Sequence, residues 1–419
     1  MFRPWMRGTR DCASNLGITR MPKVKSPKPC RNCKASVIFG PYTDIAKCMR
    51  CGETFPTGYE DEIRRVVEAD CSGSMEYPKA AVARAIGYCS MIYGMATHNE
   101  GFTGGKLEAQ IGKMGGSNVF NSGGTGEVEL INDGAKGRGM VKRGLHDSRT
   151  GYLITLVTAD RAAKAAGKDF THIYIVFRGS RSEEGSLNPM AAGFTSDGHN
   201  VDYAANFTGR QDKPWWSDRV KIRRGFLELY QSMSDDISND LLELLKLHPK
   251  ARVIVTGHSL GAGLAVVCAH HLQYHRALRI DGGGPFCFPF CTPRAGDLAF
   301  ALDFKARLGE AKLTMPGEGG GVREYNRAVN FVMSNDPVST EAMYGFKRDR
   351  SDDLTGRGTQ AANRGFVGKI AYGLRKKVNE EIIFYQTPNL YKLGYFQPLA
   401  IHQYSRMQEI FLGTALYTT

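Results

Sequence analysis

Ser259 lies at the centre of a Gly-x-Ser-x-Gly pattern at residues 257–261. An apolar, β-branched run precedes it, and a stretch of small residues that predicts a helix follows it. Glycine on both sides suits a sharp turn from strand to helix, where the crowded backbone leaves no room for a Cβ. The turn would aim the hydroxyl at a cleft and place the Leu260 N–H where an oxyanion can form. The short pattern is weak by itself, but its flanking elements favour a nucleophile over a tight turn with an idle serine.

His402 is the candidate general base. A serine hydroxyl is a poor nucleophile until a base takes its proton, and that base is usually a histidine held by a carboxylate. In the order serine, acid, histidine, the base follows both partners along the chain. His402 is the one histidine downstream of the predicted helix after Ser259. This order favours a base over a structural histidine.

Asp336 is the candidate acid, because it directly follows an apolar strand predicted at 327–333 and Pro337 restricts the turn. Asp297 also follows a predicted strand, at 286–290, and is the alternative.

Ser180 is predicted to supply a second oxyanion donor. It ends the sequence Phe-Arg-Gly-Ser after a strand predicted at 171–177. Its N–H, with its hydroxyl as a further donor, would converge with the Leu260 N–H on the same oxygen. Loss of one such donor costs about 3 kcal/mol of transition-state stabilisation.

Four cysteines have metal-ligand spacing. Cys30 and Cys33 form one Cys-x2-Cys pair, fourteen residues follow, and Cys48 and Cys51 form the second pair. Four thiolates in a tetrahedron are the ligands of a structural Zn2+. The spacing predicts a zinc ribbon over residues 29–58, with a closed and therefore non-catalytic site. Two disulfides or redox pairs are the alternative.

Charge is concentrated at the front of the chain. The net charge is +13, and residues 1–58 contain 11 Lys and Arg against 3 Asp and Glu. Residues 1–28 read as a flexible basic arm. A basic N-terminal region of this kind favours binding to phospholipid headgroups or nucleic acid, although it could equally be an arm that increases solubility. No stretch has the length and apolarity of a membrane span, so membrane contact would be peripheral.

Alternating strand and helix patterns predict one α/β domain over residues 59–419. Two helices are expected between 59 and 97, broken near 72–74, and one helix at 226–247. Residues 99–151 are rich in glycine and predict an insertion of loops and weak hairpins. Residues 181–218 are long and polar and contain Trp215 and Trp216. They could form a lid beside the cleft, or a loop anchored by buried tryptophan.

Taken together, the motifs resemble the class 3 lipases, a family of α/β-hydrolases, over about residues 77–415. The resemblance implies a central, mostly parallel sheet, with Ser259, Asp336 and His402 as triad, oxyanion donors at Ser180 and Leu260, and a lid after Ser180. The matching segments, in chain order, are 177–180, 225–226, 257–261, 292–297, 335–338 and His402. The chain departs from the family at 223–224, where Arg-Arg replaces a usual histidine, and at 289–292. The departures concern substrate choice.

We therefore expect a serine ester hydrolase that cleaves acyl esters of lipids, of the triacylglycerol lipase or phospholipase A type. The alternative is a binding protein whose zinc ribbon docks on nucleic acid or protein, with the hydrolase body as scaffold. The lack of a signal-peptide core and the unpaired cysteines predict a cytoplasmic location. An exported effector or a packaged enzyme would have the same sequence features.

Overall fold

Seven of the strands join into one central sheet. The computed structural model describes residues 28–30, 32–37, 43–97, 127–133, 138–139, 149–158, 165, 171–179, 211–275, 277–316, 322–333, 336, 338–339 and 385–393. Its strands are β1 (Lys28–Pro29), β2 (Ser36–Val37), β3 (Ile45–Lys47), β4 (Thr54–Pro56), β5 (Glu127–Asp133), β6 (Arg138–Gly139), β7 (Arg149–Thr150), β8 (Tyr152–Thr158), β9 (Thr171–Phe177), β10 (Gln211–Asp212), β11 (Ile222–Arg223), β12 (Arg252–His258), β13 (Phe286–Phe290), β14 (Lys312–Pro316), β15 (Val322–Asn326), β16 (Asn330–Met333) and β17 (Leu390–Leu393). Its α-helices are α1 (Glu60–Val67), α2 (Lys79–Thr97), α3 (Arg224–Gln231), α4 (Ser234–Leu247), α5 (Leu260–Leu272) and α6 (Leu298–Phe304).

The central sheet has the strand order β17-β16-β13-β12-β9-β8-β5, with β12 in the middle. The five strands from β17 to β9 are parallel to their neighbours, and β8 and β5 continue the sheet as antiparallel strands. The predicted mostly parallel sheet is therefore confirmed. Strands β9 and β12 are buried along almost their whole length, which explains why they are continuous apolar runs rather than alternating ones.

Helices cover both faces of this sheet. Helices α3, α4 and α5 contribute Phe226, Leu241 and Leu264 to one buried apolar cluster. Helix α2 packs on the opposite face, where Val82 and Ile86 belong to a second cluster. The result is a three-layer α/β/α arrangement, in which an apolar sheet is shielded from water on both sides.

Two sequence predictions differ from the structure. The single helix expected at 226–247 is two helices, because Met233 leaves helical geometry at φ −121° and its side chain is buried in the core. The break lets α3 and α4 each turn an apolar face to the sheet. Part of the glycine-rich insertion forms β5, which pairs with β8. An edge strand depends on pairing with its neighbour more than on its own residue pattern, so its local pattern was weak.

The N-terminal unit consists of two antiparallel hairpins, β1–β2 and β3–β4, followed by α1. Phe55 of the second hairpin and Ile63 of α1 share a buried cluster with Ala301 of α6 and with Tyr385. The unit therefore packs directly on the body of the protein. Within the ranges that the structure describes, no helix is both long and apolar enough to cross a bilayer.

Candidate active site

Ser259 forms the turn between β12 and α5. Its backbone has φ 57° and ψ −125°, a positive-φ conformation that costs a non-glycine residue roughly 1–3 kcal/mol. The turn is held by the Ser259 N–H, which donates to the Phe290 carbonyl at 3.1 Å, and by the Ala262 N–H, which donates to the Ser259 carbonyl at 2.9 Å. The predicted sharp turn from strand to helix is thus present. Strain that the surrounding structure maintains at a serine is typical of a functional position.

The two glycines of the motif are required by close backbone contacts. A Cβ on Gly257 would lie 2.2 Å from the Gly261 carbonyl oxygen. A Cβ on Gly261 would lie 2.3 Å from the Phe177 carbonyl oxygen at the end of β9. Neither distance is possible for a real side chain. The glycines therefore let α5 start directly against the neighbouring strand.

The same packing bears on the predicted oxyanion donors. Leu260 is the first residue of α5, so its N–H is among the unpaired donors at the positive end of the helix dipole. Because Gly261 touches the end of β9, the chain that leaves β9 at Arg178 begins beside this turn. That chain leads to Ser180, which itself lies outside the described residues.

Asp336 follows β16, two strands from β12, at the same carboxyl edge of the sheet. It is fully buried. Its carboxylate accepts two hydrogen bonds, from the Val338 N–H at 2.9 Å and from Ser339 Oγ at 2.8 Å. A buried carboxylate held at both oxygens has a fixed orientation, as an acid that aligns a histidine requires.

Cys291 lies between the nucleophile strand and the acid, and sequence analysis did not identify it. It has φ 52° and is completely buried. Its thiol contacts the Asp336 carboxylate, and burial together with that neighbouring charge holds the pKa of Cys291 well above its usual value. The protonated thiol is thus a third donor to Asp336. The departure from the family pattern at 289–292 was the available signal, but it did not reveal this contact.

Asp297, the alternative acid, is occupied elsewhere. It is the N-cap of α6, where its side chain accepts the Phe300 N–H at 2.8 Å and the Lys221 N–H at 3.2 Å. Burial raises the pKa of Asp297 to about 6. This arrangement favours Asp336 as the acid. His402 lies outside the described residues.

Trp215 and Trp216 are not beside Ser259. The Trp216 Nε1–H donates to His270 Nδ1 at 3.0 Å, and both rings pack edge-on or tilted against His271. These histidines end α5, so about 16 Å of helix separates them from Ser259. Trp216 is anchored on the core and Trp215 is half exposed. The tryptophans therefore do not cover the cleft, and the predicted lid residues 181–210 lie outside the described part.

The four predicted metal ligands come together. The Sγ atoms of Cys30, Cys33, Cys48 and Cys51 all lie within 4.8 Å of one another. Cys30 and Cys51 are 3.5 Å apart at sulfur, as are Cys33 and Cys48. A disulfide needs about 2.05 Å, whereas four sulfurs at 2.3 Å from a zinc ion stand about 3.8 Å apart. The cluster fits a tetrahedral metal site better than two disulfides.

The two cysteine pairs also have the same backbone turn. In the first, the Cys30 N–H donates to the Ala35 carbonyl at 2.7 Å; in the second, the Cys48 N–H donates to the Glu53 carbonyl at 2.7 Å. The fifth residue of each turn has positive φ, 61° at Lys34 and 78° at Gly52. Turns of this kind direct backbone N–H groups at sulfur, and the Cys51 N–H is the main cause that lowers the pKa of Cys48 to about 7. At Cys48 this favours thiolate, the form that binds metal. At Cys30, the Cys33 N–H also lowers the pKa, but burial and the Glu53 carboxylate together outweigh it and raise the pKa to about 12.

Several known lipases are similar to part of this chain. The secreted mono- and diacylglycerol lipase LIP4 of Malassezia restricta is 32% identical over 124 residues, 30% of this chain and 40% of that protein. The lipase of Rhizomucor miehei is 33% identical over 147 residues, 35% of this chain and 36% of that protein. The chain therefore spans less than half the length of these relatives. The solved structure of lipase II from Rhizopus niveus has 18% identity and a TM-score of 0.38, covering 62% of this chain and 73% of that one.

The predicted cytoplasmic location is contradicted by these relatives. LIP4 of Malassezia restricta is named as a secreted protein. The prediction used the composition of the first residues and the unpaired state of the cysteines. Buried thiols such as Cys89 and Cys268 stay reduced because nothing reaches them, so their state does not indicate the compartment.

Residues 174–343 match the family model described as lipase (class 3). This segment contains the turn at Ser259, the buried Asp336 and the end of β9 that approaches the turn. This segment is therefore similar to the class 3 lipases, and part of the chain is similar to known lipases.

Proposed function

We propose that this protein is a carboxylic ester hydrolase that cleaves acyl esters of lipids, of the triacylglycerol lipase or phospholipase A type. The observation that carries the proposal is the strained turn at Ser259. It presents a hydroxyl beside the N-terminus of α5, at the same sheet edge as the buried Asp336. The lipase relatives support the same reaction.

In the proposed reaction, His402 takes the Ser259 proton as the hydroxyl attacks the acyl carbonyl. Asp336 orients His402 and stabilises the imidazolium that forms. The Leu260 N–H and Ser180 bind the oxyanion of the tetrahedral intermediate. His402 then protonates the leaving alcohol, and water releases the fatty acid from the acyl-enzyme by the same steps in reverse.

The test compares wild type with Ser259→Ala on p-nitrophenyl esters and on long-chain glycerolipids. Ser259→Ala should lower kcat by at least about 10^4-fold, because the nucleophile is gone while the fold is kept. A fluorophosphonate that labels active serines should mark wild type but not the variant. Hydrolysis that survives in Ser259→Ala would refute the assignment.

We also propose that Cys30, Cys33, Cys48 and Cys51 bind one structural Zn2+. The sulfur spacing and the paired turns support this assignment. Bound zinc would cross-link the two hairpins, which have too few buried residues to fold alone. All four ligands come from the protein, so the metal would have no open position for substrate.

The partner proposed for this function is the surface of an anionic membrane, which the protein would contact without spanning it. On the second hairpin, Met49 is 94% exposed at the tip of a turn, with the exposed Lys47 and Arg50 on either side. An exposed apolar side chain between basic ones suits a bilayer surface that carries negative headgroups. A nucleic-acid partner gains no support from the lipase relatives.

Vesicle sedimentation tests this contact. Wild type should bind vesicles that contain phosphatidylserine more tightly than neutral phosphatidylcholine vesicles, and salt should weaken the binding. Met49→Asp should reduce binding to anionic vesicles, whereas the same change at Leu247, exposed at the end of α4, is the matched control. Equal binding by Met49→Asp and wild type would refute the proposed contact.

A further inference from the structure

The chain directly after α1 runs along β17, the edge strand of the central sheet. Asp70 forms a parallel β-bridge with Leu390, and the Cys71 N–H donates to the Leu390 carbonyl at 2.8 Å. The Lys392 N–H donates to Ser72 Oγ at 2.9 Å. These bonds pair backbone groups that an edge strand would otherwise leave open. The N-terminal unit is thus fixed to the sheet that carries the candidate site.

Glu68, at the end of α1, binds two buried groups of the body. Its carboxylate accepts the Arg294 Nε–H at 2.9 Å and the Nη2–H at 2.6 Å. The same carboxylate accepts the backbone N–H of Gln386 at 3.1 Å. Arg294 and Gln386 are each 1% exposed. A bidentate ion pair out of water has one preferred geometry, so Glu68 fixes where Gln386 stands.

The side chain of Gln386 holds the turn that contains Asp336. Its Nε2 donates to the Thr292 carbonyl and, at 3.3 Å, to the Ser339 carbonyl. Its Oε1 accepts a hydrogen bond from Asn330 Nδ2 at 3.2 Å. Ser339 in turn donates its hydroxyl to the Asp336 carboxylate at 2.8 Å. One buried amide therefore ties the loops after β13 and β16 together.

We propose that Gln386 is a positioning residue for Asp336, and that Glu68 makes the N-terminal zinc-binding unit part of that support. The inference rests on the proposed function, since it takes Asp336 as the catalytic acid. An acid that aligns a histidine must keep its direction within about 10–20°. Val67 of α1 and Cys48 of the metal cluster share one buried apolar cluster. Loss of zinc would therefore loosen α1 and, through Glu68, the support of Asp336.

Gln386→Met tests the support, because it keeps the side-chain length and removes its hydrogen bonds. With the full-length, zinc-loaded protein and a short soluble p-nitrophenyl ester, kcat should fall about 10- to 100-fold, with KM within about twofold. Asn389→Gly is the matched control. Asn389 lies in the same segment as Gln386, and its side chain donates to the Gly309 and Ala328 carbonyls. Glycine tolerates the φ of 66° at this position. This control should keep wild-type kcat.

A double-mutant cycle separates positioning from general damage. In an Asp336→Asn background, Gln386→Met should lower kcat by less than about a further twofold, because Gln386 then no longer orients an acid. Removal of zinc by a chelator should increase hydrogen exchange at the Gln386 amide, which donates to Glu68. The same treatment should lower kcat in wild type but not in Asp336→Asn.

Unchanged kcat in Gln386→Met overturns the inference, and so does a loss that persists in Asp336→Asn. Unchanged exchange at Gln386 after zinc loss overturns the part assigned to Glu68. If wild type shows no Ser259-dependent hydrolysis, the proposed function itself fails, which is a different result from an active wild type with an unaffected Gln386→Met.

Discussion

The Cα of Gly261 lies against the carbonyl oxygen of Phe177, so closely that a Cβ on Gly261 would stand 2.3 Å from it. This contact joins the start of α5 to the end of β9. Because the two predicted oxyanion donors, Leu260 and Ser180, come from these two segments, the contact controls how close they can be.

Gly261→Ala should therefore abolish most of the esterase activity. The new methyl group must push α5 away from β9, and separation of the two donors costs about 3 kcal/mol, or about 100-fold in kcat. Gly263→Ala is the matched control, since the atoms nearest to its Cβ belong to the Phe226 ring, at 3.0 Å or more, and a side chain can shift. Steady-state kinetics on a soluble ester would measure both. Equal losses in the two variants would argue against the contact.

Cys291→Ala should lower kcat about 10-fold, because a buried carboxylate loses one donor. Cys291→Ser should stay close to wild type, since the hydroxyl can still donate to Asp336. Both substitutions must adopt the same φ of 52°, so the pair separates the hydrogen bond from backbone strain. Kinetics and thermal melting on the same samples would distinguish a loss of activity from a loss of stability. A larger loss of kcat in the serine variant than in the alanine variant would contradict the role of the thiol.

Removal of zinc should unfold the N-terminal hairpins and lower the melting temperature of the whole chain. The hairpins share their buried cluster with Ala301 and Tyr385 of the body, so their loss exposes apolar surface there. The purified protein should contain one zinc per chain, and Cys33→Ser should reduce that content. Cys71→Ser is the matched control because Cys71 lies outside the sulfur cluster. Wild-type melting of a metal-free protein would contradict the structural role.

Stability should decrease at acid pH because of His271. Burial lowers the pKa of His271 from 6.5 to about 4, while the Tyr230 hydroxyl is bonded to its Nδ1 at 2.8 Å. The unfolded state binds the proton more readily. The neutral ring therefore stabilises the fold above about pH 6.5, and this contribution, up to about 3 kcal/mol, is lost as the pH falls towards 4.

Urea unfolding at pH 7.5 and 4.5 would measure this effect. Two of the three tryptophans lie beside His271, so their fluorescence reports the transition. His271→Gln keeps a hydrogen-bonding group but does not titrate, and should reduce the pH dependence. Part of the dependence should remain, because burial also lowers the pKa of His172, to about 3. The same pH dependence in the variant and in wild type would assign the effect to other groups.

Local sequence was sufficient where the physical constraint is itself local. The Ser259 turn could be predicted because a Cβ on Gly257 would clash with the Gly261 carbonyl only four residues along the chain. The requirement for glycine at 261 comes instead from Phe177, which only the tertiary structure brings close. Strands β9 and β13 were predicted at the bounds that the structure shows, since runs of β-branched and aromatic residues have that preference. The cysteine spacing likewise predicted a cluster, because each Cys-x2-Cys pair places two sulfurs by a short turn.

The hydrogen bonds that hold Asp336 and its loop could not be predicted, because they join segments that only the tertiary structure brings together. Glu68 lies 226 positions from Arg294 and 318 positions from Gln386 along the chain. Cys291 meets Asp336 only because β13 and β16 are neighbours in the sheet. Residues 181–218 were expected to form either a lid beside the cleft or a loop anchored by buried tryptophan. Trp216 is anchored on the core, and the length of α5 separates its histidine partners from Ser259.

Sequence by itself therefore determined the residue types and local turns at the Ser259 and cysteine sites. The tertiary structure decided what holds them in place. The clash that requires glycine at 257 and the short spacing of the cysteine ligands act over a few residues, and a sequence records them directly. A buried hydrogen bond between distant segments depends on the packing of the whole sheet, which no short pattern encodes.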